Sequence, residues 1–341
     1  MAKPFRVIQV GFGSLGRHIA SAIINRENLE LVAVIDANPD LENKTVGELM
    51  EEETDSDIII TNDLKMVLKA SPADIAIVAT ASSLEAVTST IETCLENGLD
   101  VISICEELSF PYRKQSVIAK RLDRIAKKEG KTVVGTGINP GYLMDLLPIV
   151  LTGPCQHVDT ITVTRHMNSS HRRPSFQKKI GTGMTVDEFR RKIDDGNITG
   201  HVGLVESIQM IDAGLHLGLD EIEEIPPEAI IADQEITNSF TTIKKGDVLG
   251  LRSVGVGRRE GKQIVTLDFQ AYAEATPQYD EIIIDGLPPI QQRIKGGVQG
   301  DLGTIGMIIN LIPIVIQESP GLKTMKDLPV PRNTSRVWKE E

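Results

Sequence analysis

The chain has 341 residues, a formal net charge of −12 and, counting its 29 glycines, an apolar share of about 48%, which is ordinary for a folded globular protein and excludes a disordered one. Its length favours two domains, because a single core rarely grows past about 250–300 residues. The acidic balance argues against nucleic acid or an anionic membrane as the main partner and for small molecules, and Cys94, Cys105 and Cys155 form neither a CxxC pair nor a dense framework, so neither a metal nor a disulfide scaffold is expected.

MAKPFRVIQVGFG enters a strand pattern at once, with no apolar signal region before it, and a cytoplasmic protein is expected. Between Met1 and Pro140, near-continuous apolar runs at 5–10, 29–36, 56–61, 73–80, 99–104 and 131–136 predict strands covered on both faces. Helical patterns lie between them at 15–25, 46–53, 62–71, 83–98 and 113–130, two of them ending at Gly98 and Gly130. Strand and helix alternating at this spacing imply a doubly wound parallel sheet of the Rossmann type.

Past position 150 the strands lengthen and alternate, at 158–168, 248–261, 262–275 and 280–286, predicting an α+β domain with a mixed or antiparallel sheet. The segment between the first two of these reads as two helices, TVDEFRRKIDDG, with Thr185 as N-cap and Glu188 completing a capping box, and GLVESIQMIDAGLHLGL. The closing helix DLGTIGMIINLIPIVIQES is apolar on most faces, which suits burial between domains or subunits. Its apolar run is broken by Pro313 and shorter than a membrane span. The expected organisation is a dinucleotide-binding domain at 1–145, a substrate-binding and dimerisation domain at 146–300, and a helix and tail at 301–341 that pack back on the first domain. The apolar last helix and an open-edged second sheet suggest a homodimer.

Gly11-Phe12-Gly13-Ser14-Leu15-Gly16 is a GxGxxG that follows a strand and opens a helix. Its glycines suit a tight turn, close approach of backbone to a pyrophosphate and close helix–strand packing, with the helix N-terminus facing the phosphates. Asp36 ends the second strand, at the distance beyond Gly16 where an acid accepts hydrogen bonds from a ribose. Ala37 and Asn38 follow with no adjacent arginine, so NAD is favoured over NADP.

Ligands of such sheets lie outside the carboxyl ends of the strands, which here are Thr80-Ala81-Ser82, Cys105-Glu106-Glu107 and the stretch from Gly135 to Gly141. Glu106 and Glu107 are candidate acid–base groups, one of which alternation sends inward. Asn139 is placed to meet the carboxamide or the substrate, with Pro140 beside it; as a turn residue before proline it also has a structural reading. In the second domain Arg165, His166, Asn168 and His171 cluster at a strand end, followed by a basic run and the Gly181-Thr182-Gly183 loop, a setting that suits a substrate carboxylate. His201 starts another helix and is a further candidate for the substrate site.

GFGSLGRHIA, VISICEELSFP, GTGINPGYLMDLLP, GHVGLVES and the ending GGVQGDLGTIGMIIN with GLKTMKDLPVPR resemble the 2,4-diaminopentanoate dehydrogenases and related native amine dehydrogenases over nearly the whole chain. The wider relatives are dihydrodipicolinate reductases, with the same two-domain plan. The resemblance implies NAD(P)-dependent oxidative deamination of an amine, reversed as reductive amination of a ketone with ammonia. It puts the catalytic glutamate on Glu106, with Glu107 as the fallback. Sugar dehydrogenases of similar architecture carry Glu-Lys-Pro where this chain has Glu106-Glu107-Leu108, so alcohol oxidation lacks its expected lysine. Dihydrodipicolinate reductases pair histidines where this chain has His166-Met167. An imine or keto reductase remains the enzymatic alternative, and a non-catalytic NAD-binding sensor the alternative of another class.

Overall fold

The computed structural model describes residues 3–50, 56–198 and 200–333. They divide into two compact units, one ending at Tyr142 and resuming at Gly300, the other spanning Leu143–Gln299.

The first unit begins with β1 (Phe5–Val10), α1 (Ser14–Ile24), β2 (Leu29–Ile35), α2 (Val46–Leu49), β3 (Ile60–Thr61), α3 (Leu64–Ala70), β4 (Ile75–Val78), α4 (Leu84–Glu96), β5 (Asp100–Ser103), α5 (Ser116–Glu129) and β6 (Thr132–Gly135). Its apolar runs became strands because helices cover both faces: every residue of β4, β5 and β6 is buried. Each fully buried aliphatic side chain contributes roughly 1.5–3 kcal/mol. The helices hold their places by helical spacing, α1 burying Gly16, Ile19, Ala20 and Ile23. The strand predicted over 56–61 is shorter, because Thr45 bridges Ile59 and the Val46 N–H bonds the Ile58 carbonyl, leaving only Ile60 and Thr61 to pair with β2. The helix predicted over 46–53 ends at Leu49, and its positions 51–53 lie outside the described residues.

The second unit runs α6 (Leu146–Leu151), β7 (His157–Asn168), α7 (Pro174–Lys179), α8 (Val186–Asp194), α9 (Leu204–Leu215), β8 (Glu221–Ile231), β9 (Ile236–Thr237), β10 (Thr242–Ile243), β11 (Val248–Arg259), β12 (Lys262–Tyr272), β13 (Tyr279–Leu287) and β14 (Ile290–Lys295). Its six-stranded sheet has the order β14-β13-β7-β12-β11-β8, with β7 and β12 parallel and the other pairs antiparallel, so it is mixed. The helix α9 packs on β8, β11 and β12, and α6 packs on α9. Besides the two-residue strands β9 and β10, two longer strands escape the hydropathy pattern. One is β8, whose Pro226 and Pro227 suit only an edge, and the other is β14 at the opposite edge.

The chain then returns to the first unit with α10 (Gly300–Gln317) and β15 (Gly321–Lys323). Length and composition would allow α10 to cross a bilayer, yet it buries Ile308, Leu311, Ile312 and Val315 and packs on α1, β5 and β6. The strand β15 adds a seventh member to an all-parallel sheet of order β15-β6-β5-β4-β1-β2-β3. The chain order reverses between β1 and β4, which creates the crevice where such sheets take ligands.

Candidate active site

Backbone contacts make the three glycines of the first turn unequal. A Cβ on Gly11, whose φ is +101°, would strike the Ala79 carbonyl, and one on Gly16 would strike the Gly11 carbonyl, whereas a Cβ on Gly13 would meet nothing within 4 Å. The open position leaves room for a phosphate to approach the backbone. Gln9, fully buried, ties the turn by donating from Nε2 to the carbonyls of Gly11 at 2.9 Å and Gly16 at 2.6 Å. The N-terminus of α1 has no side-chain cap and no acid in its first turn, so its N–H groups and dipole suit an anion. At the end of β2, Asp36 accepts from Phe12 N at 2.5 Å and Asn38 N at 2.8 Å. A carboxylate has about four acceptor directions, so room for sugar hydroxyls remains. These residues fit a dinucleotide.

A short 3-10 turn, Glu106–Leu108, follows β5 and packs so closely on β6 that a Cβ on Gly135 would lie 2.6 Å from the Leu108 carbonyl carbon. The two glutamates of this turn differ sharply. Glu107 Oε2 accepts from Leu84 N at 2.8 Å, capping α4, while Lys114 Nζ lies 3.0 Å from Oε1 and Gln115 Nε2 3.4 Å from Oε2. Burial acts to raise its pKa, but the Leu84 N–H, Lys114 and Gln115 outweigh it and hold the carboxyl below its usual range. Among the described residues the half-buried Glu106 carboxylate has no hydrogen-bond or ion-pair partner. Cys105 does not present its thiol to solvent. It is buried, donates to the Ser82 carbonyl at 3.0 Å and is pushed up to about 12 by desolvation, so it fixes the loop that carries Thr80, Ala81 and Ser82. Asn139 precedes Pro140 through a cis peptide, and the next residue upstream, Ile138, is anchored by its N–H to Thr304 Oγ1 at 3.2 Å.

In the second unit a cavity of about 230 Å³ is lined by residues that include Arg165, His166, Asn168, His171, Arg172 and Asp280. Arg165 is buried. It donates from Nη2 to the Val298 carbonyl at 2.6 Å and lies 3.7 Å from Asp280, and its buried Nη1 has no partner among the described residues. Burial draws its pKa down and that of Asp280 up, each opposed by the other's charge.

The other predicted contact residues already have partners within the fold. Both ring nitrogens of His166 are engaged, Nδ1 donating to the Pro277 carbonyl at 2.6 Å and Nε2 facing the Tyr272 hydroxyl at 2.7 Å. Asn168 uses its side-chain oxygen on the N–H groups of Ser170 and Glu274. Thr182 is buried with its hydroxyl on the Leu249 carbonyl, because its loop packs down on β11. The N-terminus of α8 is capped by Thr185 and carries Asp187 and Glu188, so it repels a carboxylate. The second half of the expected capping box is replaced by a contact from Glu188 to Lys192 at 3.8 Å. His201 stacks on Phe269 at 4.2 Å.

Residues 142–340 match the model of the 2,4-diaminopentanoate dehydrogenase C-terminal domain, and residues 5–104 that of the dihydrodipicolinate reductase N-terminus. The chain is 33% identical over 331 residues to the 2,4-diaminopentanoate dehydrogenase of Acetoanaerobium sticklandii, covering 96% of this chain and 94% of that one. The chain belongs to the 2,4-diaminopentanoate dehydrogenase family. It is 22% identical to an amine dehydrogenase of Streptomyces virginiae, across 97% and 98% of the two chains. Its fold overlays the amine dehydrogenase from Mycobacterium smegmatis with a TM-score of 0.83 at 22% identity, covering 97% of this chain and 98% of that one. As a member of the 2,4-diaminopentanoate dehydrogenase family it is an NAD(P)-dependent amine dehydrogenase, and the first unit is its nicotinamide-binding fold. Asp280, missed in the sequence, had one signal: an acid beginning an apolar strand that pairs, residue for residue, with Arg165.

Proposed function

We propose that this dehydrogenase oxidatively deaminates a carboxylate-bearing amine of the 2,4-diaminopentanoate class and runs in reverse as reductive amination of the ketone with ammonia. The observation that carries this is the Glu106 carboxylate at the carboxyl end of β5, which has no partner among the described residues, beside a neighbour whose carboxylate is fully engaged. Glu106 takes a proton from the substrate ammonium, which frees the nitrogen lone pair. A bound nicotinamide supplies the hydride acceptor for the amine-bearing carbon. Once Glu106 has released that proton to solvent, the restored anion stabilises the cationic iminium, takes a proton from the water that adds to it and returns that proton to the departing ammonia.

Gly11 to Gly16 hold the pyrophosphate and Asp36 the ribose. The Asp36 charge disfavours a 2′-phosphate, so NAD is the preferred cofactor. Thr80, Ala81, Ser82 and Asn139 flank the nicotinamide. In the second unit Arg165 Nη1, which has no partner among the described residues, receives the substrate carboxylate. A homodimer is the working assembly.

The test is the initial rate of NADH and NADPH oxidation with 2-amino-4-oxopentanoate, with and without ammonium. Ammonium-dependent oxidation, faster with NADH, is expected. Glu106→Gln should lower kcat by about 100-fold or more while NADH still binds by fluorescence titration. Oxidation without ammonium would overturn the reaction, and full turnover by the variant would overturn the role of Glu106.

A further inference from the structure

Behind the cavity of the second unit sits an amide with none of its surface exposed, Gln177 on α7. Its Nε2 donates to the Arg172 carbonyl at 2.9 Å and the Ser170 carbonyl at 3.4 Å, and its Oε1 accepts from Asn238 Nδ2 at 2.8 Å. Asn238 in turn accepts from Phe240 N at 2.8 Å and Thr241 N at 2.9 Å, so the turn between β9 and β10 is fastened to the same amide. Ser239 adds a bond from its hydroxyl to the Ser170 carbonyl at 3.2 Å. The segment held this way carries His171 and Arg172, two of the residues lining the cavity that contains Arg165. An apolar side chain of equal volume would fill the space but could not donate to the two carbonyls, that of Ser170 being buried. A buried side chain whose hydrogen bonds are all spent on backbone and on one neighbouring turn sets a position.

We propose that Gln177 is a specificity-determining positioning residue, clamping the Ser170–Arg172 turn so that Arg172 stands at the cavity with Arg165 and favours carboxylate-bearing substrates over neutral ones. It rests on the reading of Arg165 as the carboxylate receiver. Gln177 touches no substrate, so its removal loosens geometry and leaves chemistry in place.

The experiment compares 4-oxopentanoate with pentan-2-one, which differ in the carboxylate, at saturating NADH and ammonium. Gln177→Met should raise KM for the keto acid by about tenfold, leaving its kcat and both constants for the ketone within about twofold. Equal losses on both substrates would show a merely structural role and overturn the proposal. Should Gln177→Met fail to fold, Asn238→Ala removes one of the three bonds. A smaller KM rise confined to the keto acid supports the clamp, and unchanged selectivity overturns it. Arg165→Lys separates the two readings. If it leaves selectivity intact, the carboxylate assignment fails, and if it alone abolishes selectivity, only the clamp fails.

Discussion

Adjacent carboxylates Glu106 and Glu107 part company through what lies within reach of each. Glu107 spends its charge on the first N–H of α4, and Lys114, being largely exposed, adds little to that. Glu107→Gln should therefore cost about 1 kcal/mol of stability near neutral pH. Because folding lowers the Glu107 pKa, its contribution is complete above the ordinary value of 4.5 and fades as pH falls through the folded value. Urea denaturation at pH 7 and pH 3.5 checks this: the gap between wild type and variant should narrow in acid, and a gap that widens would contradict the capping role. The pair was legible in the sequence as a candidate site, but not which member was spoken for. That depends on Leu84, which lies on the far side of α4 and β5 along the chain, and no spacing rule encodes it. His166 and Asn168 illustrate the same limit, since the ring nitrogens of the one meet Tyr272 and Pro277 and the side-chain oxygen of the other meets Glu274, which only the fold brings near.

The turn between β1 and α1 behaves as an element whose three glycines can be separated by experiment. Gly13→Val should melt at nearly the wild-type temperature, since nothing lies where its Cβ would go, yet should weaken NADH binding by about tenfold or more by blocking the phosphate. Gly11→Val should instead lower the melting temperature, because its Cβ strikes the Ala79 carbonyl and its φ is left-handed. Thermal melts beside NADH titration tell the two apart, and intact binding by Gly13→Val would remove the phosphate from this turn. The loop was readable beforehand because its chemistry is backbone chemistry, written in the residue type itself. The parallel strands were readable for a similar reason: burial on both faces leaves an uninterrupted apolar run. The elements that were not readable lie at edges. One face of β8 is solvated and prolines interrupt it, and β15, running only from Gly321 to Lys323, is too short for any period to show.

At the scale of the whole molecule, the first unit is assembled from both ends of the chain. Its sheet takes β15 beside β6, where Leu322 N–H bonds Asp123 and the Leu322 carbonyl accepts from Tyr112 at 3.0 Å, and its core includes α10. The second unit is one uninterrupted stretch, Leu143–Gln299. A chain ended at Gln299 should thus retain a protease-resistant second unit while the part up to Tyr142 is digested, a difference that limited proteolysis with mass spectrometry reads directly. Equal resistance of both parts would show that α10 and β15 are dispensable. The arrangement also inverts the usual order of events on the ribosome. The segment synthesised first cannot finish, and waits with the flank of β6 and the seat of α10 bare until the last residues emerge, while the middle of the polypeptide completes itself. A nicotinamide-binding fold is therefore completed late, so an interrupted translation product holds the second unit without the means to bind the cofactor.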